Sequence, residues 1–507
     1  MDPLLIRNVL PVPLGVDEAP ATEPVDVLVD DGVVRRVGSH LPDVEDARVH
    51  DADGRWIIPG LWDHHVHLGQ VAMTTSRLDL STVRSPEEAT FFVQERLSAW
   101  PDKPLVGFGH RSATWPRKPT VAELDEVSDT TPIVLISGDA HHAWMNSPAL
   151  RALGLAPRHD VVRESEWFDA YARLEDVVGQ EATAAAYRTV QVEAAARGIV
   201  GLVDFEFSGG AIEWAQRWAD GADLLRIRMA TYAHGLDAVL NAGLRSGDPI
   251  PGTDGAVMGP LKIISDGSLN TRTAWCCMPY TNGEDLIHPF GYPNQSVDEM
   301  RELMARAHAG GLEVAVHAIG DAAVHEALLG FAATGARGSV EHAQLIDEAD
   351  VPLLAASGLR ASVQPAHLLD DRDVSEHCWA DRLDRCFALR WMYDAGTRLH
   401  LGSDAPVAPL DPWLAMAAAV HRSADERDPW NPAQALTARE ALAASTDGWG
   451  TVAVGHPGDL VLLDADPLGD VGDSGAISTH LRWMSVAATY VGGRLTAPLL
   501  DWTPGPG

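Results

Sequence analysis

The stretch of sequence that decides the fold is WIIPGLWDHHVHLG, residues 56–69. Its mostly apolar first half is typical of a buried strand, and the strand ends in His64, His65 and His67. Three histidines within four positions fit three interpretations: side chains buried in the core, a surface cluster, or the first part of a metal site. The last interpretation requires ligands far along the chain, so the rest of the sequence decides among the three.

Length and composition describe a large, acidic, globular protein. The 507 residues are enough for one large barrel domain and an accessory domain. The formal net charge of −34 repels nucleic acid and anionic membranes, so we expect neither as a partner. No apolar stretch approaches the ~20 residues that cross a bilayer, no secretion signal is recognisable, and the cysteines fit free thiols in a reducing compartment. We therefore expect a cytoplasmic location.

The middle of the chain alternates between strand-like and helix-like segments. One helix-like segment, 296–311, begins with Ser296 as a helix cap and carries Glu299 three residues later, and 437–445 repeats this signal with Thr437 and Glu440. The strand candidates are short and rich in Val, Ile and Leu, as expected for strands buried on both faces: 57–65, 198–206, 224–232, 260–267, 312–320, 338–345, 359–367 and 397–406. Eight such units predict an α/β protein with a TIM-like (β/α)₈ barrel.

Two further regions complete the predicted organisation. Residues 1–56 and 450–507 contain short β-type runs and predict one β-sandwich domain, antiparallel in its N-terminal part, built from both termini. The barrel then covers 57–449. Its first crossover, about 70–197, is far too long for one helix, so we predict an inserted subdomain that covers the barrel mouth and shapes the substrate pocket.

Polar residues occur where the predicted barrel strands end, which is where such barrels carry their functional groups. Each has an ordinary alternative: a hydrogen-bonded core histidine, a lysine that reaches water from an edge, or an aspartate in a turn. Their joint position favours a shared metal site over these separate alternatives. The candidates are His65, His67, Lys262, His317, His342 and Asp404.

Spacing within the first strand separates its histidines. His65 and His67 are two positions apart, which places both rings on one face of a strand, about 7 Å apart at the backbone. Imidazole nitrogens suit zinc and similar divalent ions. His64 points the other way and is expected to pack or to support the site. Asp63 shares the ligand face and either supports the metal or accepts hydrogen bonds at the strand end.

The ordered set of motifs resembles a known family. The Asp-x-His-x-His ending, followed by Lys, His, His and Asp, looks like the amidohydrolase superfamily of metal-dependent hydrolases. Several segments are similar to the branch that contains N-substituted formamide deformylases and related amidohydrolases with a long insertion. These segments are GDAHHAWMNSPAL (138–150), LKIISDGSLNTRTA (261–274), VAVHAIGDAAV (314–324), VEHAQLI (340–346), LGSDAPV (401–407) and GDLVLLDADPL (458–468).

The resemblance implies a site for one or two divalent metal ions, with zinc as the expected metal. His65, His67 and Asp404 match the ligands of one ion. His317 and His342 match those of a second. Lys262 matches the lysine that many relatives carboxylate on its amine, so that an anionic carbamate bridges two ions.

The resemblance also implies hydrolysis of a C–N bond in a small-molecule amide or N-substituted formamide, with Asp404 as general base. A deaminase, or a hydrolase of cyclic amides, carbamates or esters, remains an alternative on the same scaffold. A non-catalytic scaffold protein is a third alternative, against which the six filled ligand positions argue. A homodimer is a further open expectation.

Four residues are candidate substrate contacts. His141 matches a motif in the insertion and would bind substrate or polarise an oxyanion, unless it belongs to a structural hydrogen-bond cluster. Asp266 and Arg272 follow Lys262, and Arg272 would anchor a carboxylate or form a structural salt bridge. Trp115 would line the pocket or the core of the insertion. Asn270 stands where relatives often carry glycine, which leaves the substrate open.

Overall fold

The computed structural model describes residues 2–15, 17–74, 77–99, 103–174, 177, 184–207 and 210–497. Its strands are β1 (Leu4–Pro11), β2 (Val25–Asp30), β3 (Val33–Gly38), β4 (Arg48–Asp51), β5 (Trp56–Pro59), β6 (Leu61–Val66), β7 (Leu78–Asp79), β8 (Leu105–His110), β9 (Ile133–Ser137), β10 (His142–Met145), β11 (Val162–Arg163), β12 (Ile199–Asp204), β13 (Arg226–Thr231), β14 (Ala256–Ile264), β15 (Val314–Ala318), β16 (Gly338–His342), β17 (Arg360–Val363), β18 (Arg398–Leu401), β19 (Leu460–Leu463), β20 (Val486–Val491) and β21 (Arg494–Ala497).

The described α-helices connect and cover these strands. They are α1 (Leu68–Thr74), α2 (Pro86–Ala99), α3 (Val121–Val127), α4 (Ser147–Ala152), α5 (Glu164–Tyr171), α6 (Ala184–Ala195), α7 (Ala211–Ala219), α8 (Ala233–Asn241), α9 (Val297–Ala309), α10 (Asp321–Thr334), α11 (Val351–Ser357), α12 (Asp371–Cys378), α13 (Leu389–Asp394), α14 (Pro412–His421), α15 (Ala438–Ala443) and α16 (Ser474–Arg482). Helices α9 and α15 begin with the predicted capping boxes, Ser296 with Glu299 and Thr437 with Glu440. Within the described ranges, no helix is long and apolar enough to cross a membrane.

Eight parallel strands, β6 and β12 to β18, form the central barrel in chain order. They correspond to the eight strands predicted from the sequence, and the predicted fold class is confirmed. Val, Ile, Leu and Ala side chains of the strands pack with those of the surrounding helices in the largest apolar core of the described chain. Because all eight strands run in the same direction, their C-terminal ends meet at one mouth.

The first and last barrel strands, β6 and β18, meet at a seam whose two ends differ. Near the mouth, Val66 and Ala405 form a parallel bridge, and the Asp404 amide donates to the His65 carbonyl at 2.7 Å. At the opposite end, residues 444–445 lie at the seam: the Trp62 amide donates to the Ser445 carbonyl, and the Leu401 amide donates to the Ala444 carbonyl. The chain after α15 thus joins the two strands where they do not pair directly.

A mixed sheet forms from both termini. Its strand order is β21-β20-β19-β5-β1-β2-β3, with β4 beside β1. The antiparallel arrangement predicted for the N-terminal part is wrong in one respect, because β1 pairs in parallel with β4 and β5 after the β2–β3 hairpin returns the chain. Apolar side chains from both termini, including Ile6, Val29 and Leu462, form a common core.

The predicted strand 57–65 is divided at Gly60. Strand β5 pairs with β1 and β19 in the terminal sheet, whereas β6 pairs with β12 in the barrel. A Cβ atom at Gly60 would lie 2.3 Å from the Val200 side chain, so only glycine fits at this crossing. Residues 56–59 therefore pair with the terminal sheet, although the prediction counted 57–59 with the barrel.

Much of the long first crossover forms a separate five-stranded sheet of order β11-β10-β9-β8-β7. Helices α2 to α5 accompany it, and two apolar cores lie within it. Residues 138–141, between β9 and β10, reach the barrel mouth, where Asp139 accepts a hydrogen bond from Ser268 at 2.7 Å. The predicted boundaries of the insertion, barrel and terminal domain remain predictions.

Candidate active site

The six residues proposed as metal ligands come together at the barrel mouth. All of them line one narrow cavity at the C-terminal ends of the strands. Three aromatic side chains close the cavity: Phe168 from the insertion, and Phe207 and Tyr232 from loops after β12 and β13. The residues that the sequence places at strand ends are thus neighbours in the folded protein.

Asp404 lies at the centre of this cluster. Its Oδ1 atom is 3.3 Å from His67 Nε2 and 3.5 Å from His65 Nε2. The ligand atoms of these three side chains lie within 4.8 Å of one another, close enough to share one ion. The i, i+2 spacing on the first strand therefore directs both imidazoles towards one carboxylate.

His317 and His342 form the second half of the cluster. Their ring centroids are 4.5 Å apart, and the His342 ring lies 4.9 Å from that of His65. His317 Nε2 also lies 3.5 Å from Asp266 Oδ1. His317 of β15 is paired in register with Glu341 of β16, and His342 follows Glu341, so the two rings come from adjacent strands.

His367 is a member of the cluster that the sequence analysis missed. Its Nε2 atom lies 3.7 Å from Asp404 Oδ2, and His342, His367 and Asp404 form a second group that could hold a metal ion. His367 ends the predicted strand 359–367, and in the structure it follows β17 in a 3₁₀ turn. Selecting polar residues at the ends of predicted barrel strands, as was done for the other six, would also have identified His367.

The donor atoms in the cluster fit a cation. Among the described residues, His67 Nδ1, His342 Nδ1 and His367 Nε2 are buried without a hydrogen-bond partner. Burial holds the pKa of His65 and of His342 well below the ordinary histidine value, which favours the neutral, ligating form. Burial would raise the pKa of Asp404, but the hydrogen bond and charge of His67 outweigh it, so the carboxylate is anionic.

Lys262 reaches into the cluster from β14 and is fully enclosed. Its Nζ atom is 3.2 Å from His65 Nε2 and lies 4.2 Å from the centroid of the Phe205 ring. Burial lowers the pKa of Lys262 to about 8, although Glu341 and Asp404 act in the opposite direction. The edge position that the sequence left open for this lysine does not occur, since its exposed fraction is 2%.

Glu341 supports the cluster from below and was also missed. Its Oε2 atom is 2.7 Å from His65 Nδ1, which fixes the ring and directs Nε2 towards Asp404. Glu341 immediately precedes His342 in the sequence, and this adjacency is the one signal that pointed to it. Asp63 accepts hydrogen bonds from the backbone amides of His65 and Ser403, so it acts as the acceptor at the strand end.

Backbone strain accompanies the cluster. His342 has φ +69° and Asp404 has φ +57°, both in the left-handed region that non-glycine residues avoid. Ala140, in the loop that covers the mouth, has φ +57°. Such conformations cost of order 1–3 kcal/mol each and persist where the surroundings fix them, which is common at functional sites.

His141 is the one substrate-contact candidate that the structure places in the cavity wall. Its ring lies 5.5 Å from that of His317, and its Nδ1 atom is 3.0 Å from Glu164 Oε2. Burial would lower the pKa of His141, but the Glu164 carboxylate outweighs it and raises the pKa to about 9. The insertion thus contributes a cationic imidazole to the mouth of the barrel.

The other three candidates lie outside the cavity wall. Asp266 is fully buried and accepts hydrogen bonds from the amides of Trp275, Ile319 and Gly320, so it fixes loops. Arg272 lies beside Cys378 and forms no ion pair with a described residue. Trp115 packs in the core of the insertion and donates to the Val83 carbonyl, which is the alternative the sequence left open.

A wider cavity of about 490 Å³ lies outside the narrow one. The two share Asp139 and Val407 in their walls, so they lie next to each other. Asn270, the residue noted as a departure from relatives, lines the wider cavity. Arg111 lies there too, paired with Asp370 at 2.6 Å. The wider cavity is therefore polar and charged, in contrast with the aromatic wall inside.

Comparison with known proteins gives a consistent result. The sequence pattern of the amidohydrolase family matches residues 48–497. The protein YtcJ of Bacillus subtilis (strain 168) is 26% identical over 503 residues, 89% of this chain and 92% of its own. The N-substituted formamide deformylase of Arthrobacter pascens is 24% identical over 543 residues, 92% of this chain and 94% of its own.

A solved structure supports the fold. It belongs to a Pyrococcus horikoshii OT3 protein described as an uncharacterized metal-dependent hydrolase. It superposes with a TM-score of 0.73 at 23% sequence identity and covers 93% of this chain and 99% of its own. The barrel and its accessory sheets therefore occur together in another protein.

Proposed function

Because the chain belongs to the amidohydrolase family, as its match over residues 48–497 shows, we propose that it hydrolyses a C–N bond in a small-molecule amide or N-substituted formamide. Asp404 is the proposed general base. The observation that carries the proposal is the position of the Asp404 carboxylate, 3.3–3.7 Å from imidazole nitrogens of His65, His67 and His367.

The proposed metal ligands divide around this carboxylate. His65 and His67 would hold one divalent ion with Asp404, and His317 and His342 would hold a second. Lys262 would join this ligand set as a carbamate, which would supply anionic oxygen donors, since a plain ammonium buried at this point would repel the cations. His367 lies on the far side of Asp404 and is a further candidate ligand. Zinc suits this set of imidazole and carboxylate donors.

When bound, a divalent ion would supply two effects: a lower pKa for a coordinated water and polarisation of the substrate carbonyl. Asp404 accepts the proton of the attacking water and returns it to the leaving amine nitrogen as the C–N bond breaks. His141 donates a hydrogen bond to the developing oxyanion from its second ring nitrogen, because Nδ1 is held by Glu164. Phe168, Phe207 and Tyr232 keep bulk water from the reacting carbonyl.

Cavity shape supports a small acyl group. The inner cavity has a volume of only about 30 Å³ and an aromatic wall, which suits a formyl or similarly small group. The outer cavity of about 490 Å³ is large enough for the substituent on the nitrogen. The similarity to the formamide deformylase of Arthrobacter pascens over nearly the whole chain points to the same class of substrate.

The test is release of amine from a panel of N-substituted formamides by the zinc-loaded protein. The panel also contains N-acetyl analogues, cyclic amides, carbamates, esters and aminated heterocycles, which represent the alternative activities. We expect a kcat/KM for formamides that exceeds every other class. A preference for another class would replace the formamide proposal, and turnover that survives complete removal of metal by a chelator would refute metal dependence.

A further inference from the structure

His64 is the histidine of the opening motif that the active site does not use. Its side chain lines a second cavity, of about 570 Å³, inside the N-terminal half of the barrel. The wall of this cavity shares no residue with the cavity that holds His65, His67 and Asp404. Neighbouring residues of one strand thus belong to two separate sites, and the second has no assigned role.

Three parts of the chain meet beside His64 at the seam of the barrel. His64 lies on β6 and His400 on β18, the two strands between which residues 444–445 provide the hydrogen-bond acceptors. Asp447 lies two positions after the end of that segment. The seam therefore brings two imidazoles and one carboxylate together from segments that are distant in sequence.

The geometry of these three side chains resembles a ligand set. His64 Nδ1 and His400 Nδ1 are 3.0 Å apart, close to the separation of about 3.3 Å that two nitrogens have on one tetrahedral zinc ion. One ligand atom from each of His64, His400 and Asp447 can be chosen so that all three lie within 4.8 Å of one another.

The other ring nitrogen of His64 also lacks a hydrogen-bond partner. His64 is 5% exposed, and its Nε2 atom is buried without a hydrogen-bond partner among the described residues. The carboxylate oxygen Oδ1 of Asp447 is 3.9 Å from this nitrogen, which is too distant for a hydrogen bond. An ion held by the two Nδ1 atoms would not contact Nε2, so Nε2 would carry the ring proton and donate it to water or to Asp447.

Arg228 holds the carboxylate of Asp447 in place. Its two terminal nitrogens donate to Oδ1 and Oδ2 at 2.7 and 2.5 Å, and its guanidinium stacks 4.1 Å from the centroid of the Trp62 ring. A carboxylate offers about four lone-pair sites, so Asp447 can accept from Arg228 and also ligate an ion. This arrangement is the supporting contact that metal-binding carboxylates usually have.

We propose that His64, His400 and Asp447 bind a divalent transition-metal ion, such as zinc or cobalt, at the seam of the barrel and away from the active site. The ion completes its coordination with water from the adjoining cavity. It links β6, β18 and the segment after α15 where direct strand pairing is absent, so its role is to hold the barrel closed.

Metal counting tests the proposal. The purified protein is loaded with zinc, dialysed and analysed for tightly bound metal per chain, alongside His400→Asn, His67→Asn and the control His421→Asn, whose ring contacts Ser474 instead. We expect His400→Asn to lose about one equivalent of zinc and the double variant with His67→Asn to lose more than either single variant. His421→Asn should keep the full content. Equal zinc content in His400→Asn and the unaltered protein would show that the seam holds a hydrogen-bond network only.

A measurement on the unaltered protein removes any dependence on how the variants fold. Crystals grown with zinc are measured above and below the zinc absorption edge. We expect an anomalous peak about 2.1 Å from His64 and His400 nitrogens, in addition to any peak at the barrel mouth. A map with density at the mouth and none at the seam would overturn this proposal and leave the proposed hydrolase function intact.

Discussion

Both ends of the barrel contain buried histidines and carboxylates, but the groups that pair with those carboxylates differ. At the mouth, Asp404 lies among the imidazoles of His65, His67 and His367, and no arginine pairs with its carboxylate in the described structure. At the other end, Arg228 pairs with Asp447 and Arg360 pairs with Glu313. The mouth therefore offers a carboxylate without an arginine partner to a catalytic cation, whereas the carboxylates of the lower end are fixed by arginines, which suits a structural role.

The largest expected effect separates the two ends by activity. Asp404→Asn should lower kcat by about two to four orders of magnitude, because the amide cannot accept the proton of the attacking water. Circular dichroism should show an unchanged fold. Glu313→Gln, at the lower end, is the matched control and should leave kcat within about twofold. A comparable loss of kcat in both variants would contradict a functional difference between the two ends.

The next effect concerns Glu341, which lines the lower cavity and also contacts His65 of the upper site. Glu341→Gln weakens the hold on the His65 ring, so zinc affinity at the mouth should fall by about 10–100-fold. Competition with a chromophoric chelator measures this affinity. Glu313→Gln again serves as the control, and an unchanged affinity in Glu341→Gln would show that the two ends are not linked through this carboxylate.

A smaller effect is expected in the pH profile. The pKa of His141 is about 9 because Glu164 outweighs the effect of burial, so the cationic form should be lost as pH rises through about 9. The interaction of cationic His141 with Glu164 should contribute fully to stability below the ordinary histidine pKa of about 6.5. This contribution should be lost as the pH rises through the raised pKa of His141. In Glu164→Gln, the alkaline limb of kcat should move to lower pH.

The control for this prediction is Glu166→Gln on the same helix, since Glu166 pairs with Arg158 at the surface. Its profile should match that of the unaltered protein. If Glu164→Gln and Glu166→Gln gave the same alkaline limb, His141 would not be the group that titrates.

The smallest effect concerns stability at the lower end alone. Thr437 caps helix α15, which leads into the segment at the seam. Thr437→Ala should lower the free energy of unfolding by about 1 kcal/mol in urea denaturation, because the backbone amide of Glu440 loses its acceptor. The kcat of this variant should be unchanged, and a parallel loss of activity would mean that the seam controls the mouth.

Features that depend on neighbouring residues were predictable. The eight barrel strands and the two capping boxes follow from apolar runs and from residues three positions apart, which are local patterns. The six residues at strand ends were identified because parallel strands place their C-terminal ends together. The structure brings them into one cavity, and their roles remain proposals.

Features that depend on packing were not predictable. The break at Gly60 results from the close approach of Val200, which no local pattern shows. His367 could have been selected as a residue at a predicted strand end, but its direction towards Asp404 depends on the 3₁₀ turn that follows β17. Trp115 was a candidate for the pocket wall, but an apolar ring is buried equally well in the core of the insertion.

The opening motif shows which features the local sequence determines and which depend on the tertiary structure. The sequence alone determined that His65 and His67 share one face of a strand, because alternation along a strand is a property of the local backbone. The same alternation placed His64 on the opposite face of the strand. The residue that contacts His64 is His400, which is 336 positions away in the chain, and only the closed barrel brings the two together. Contacts of that range exist only when β6 and β18 meet, so the role of His64 depends on closure of the barrel.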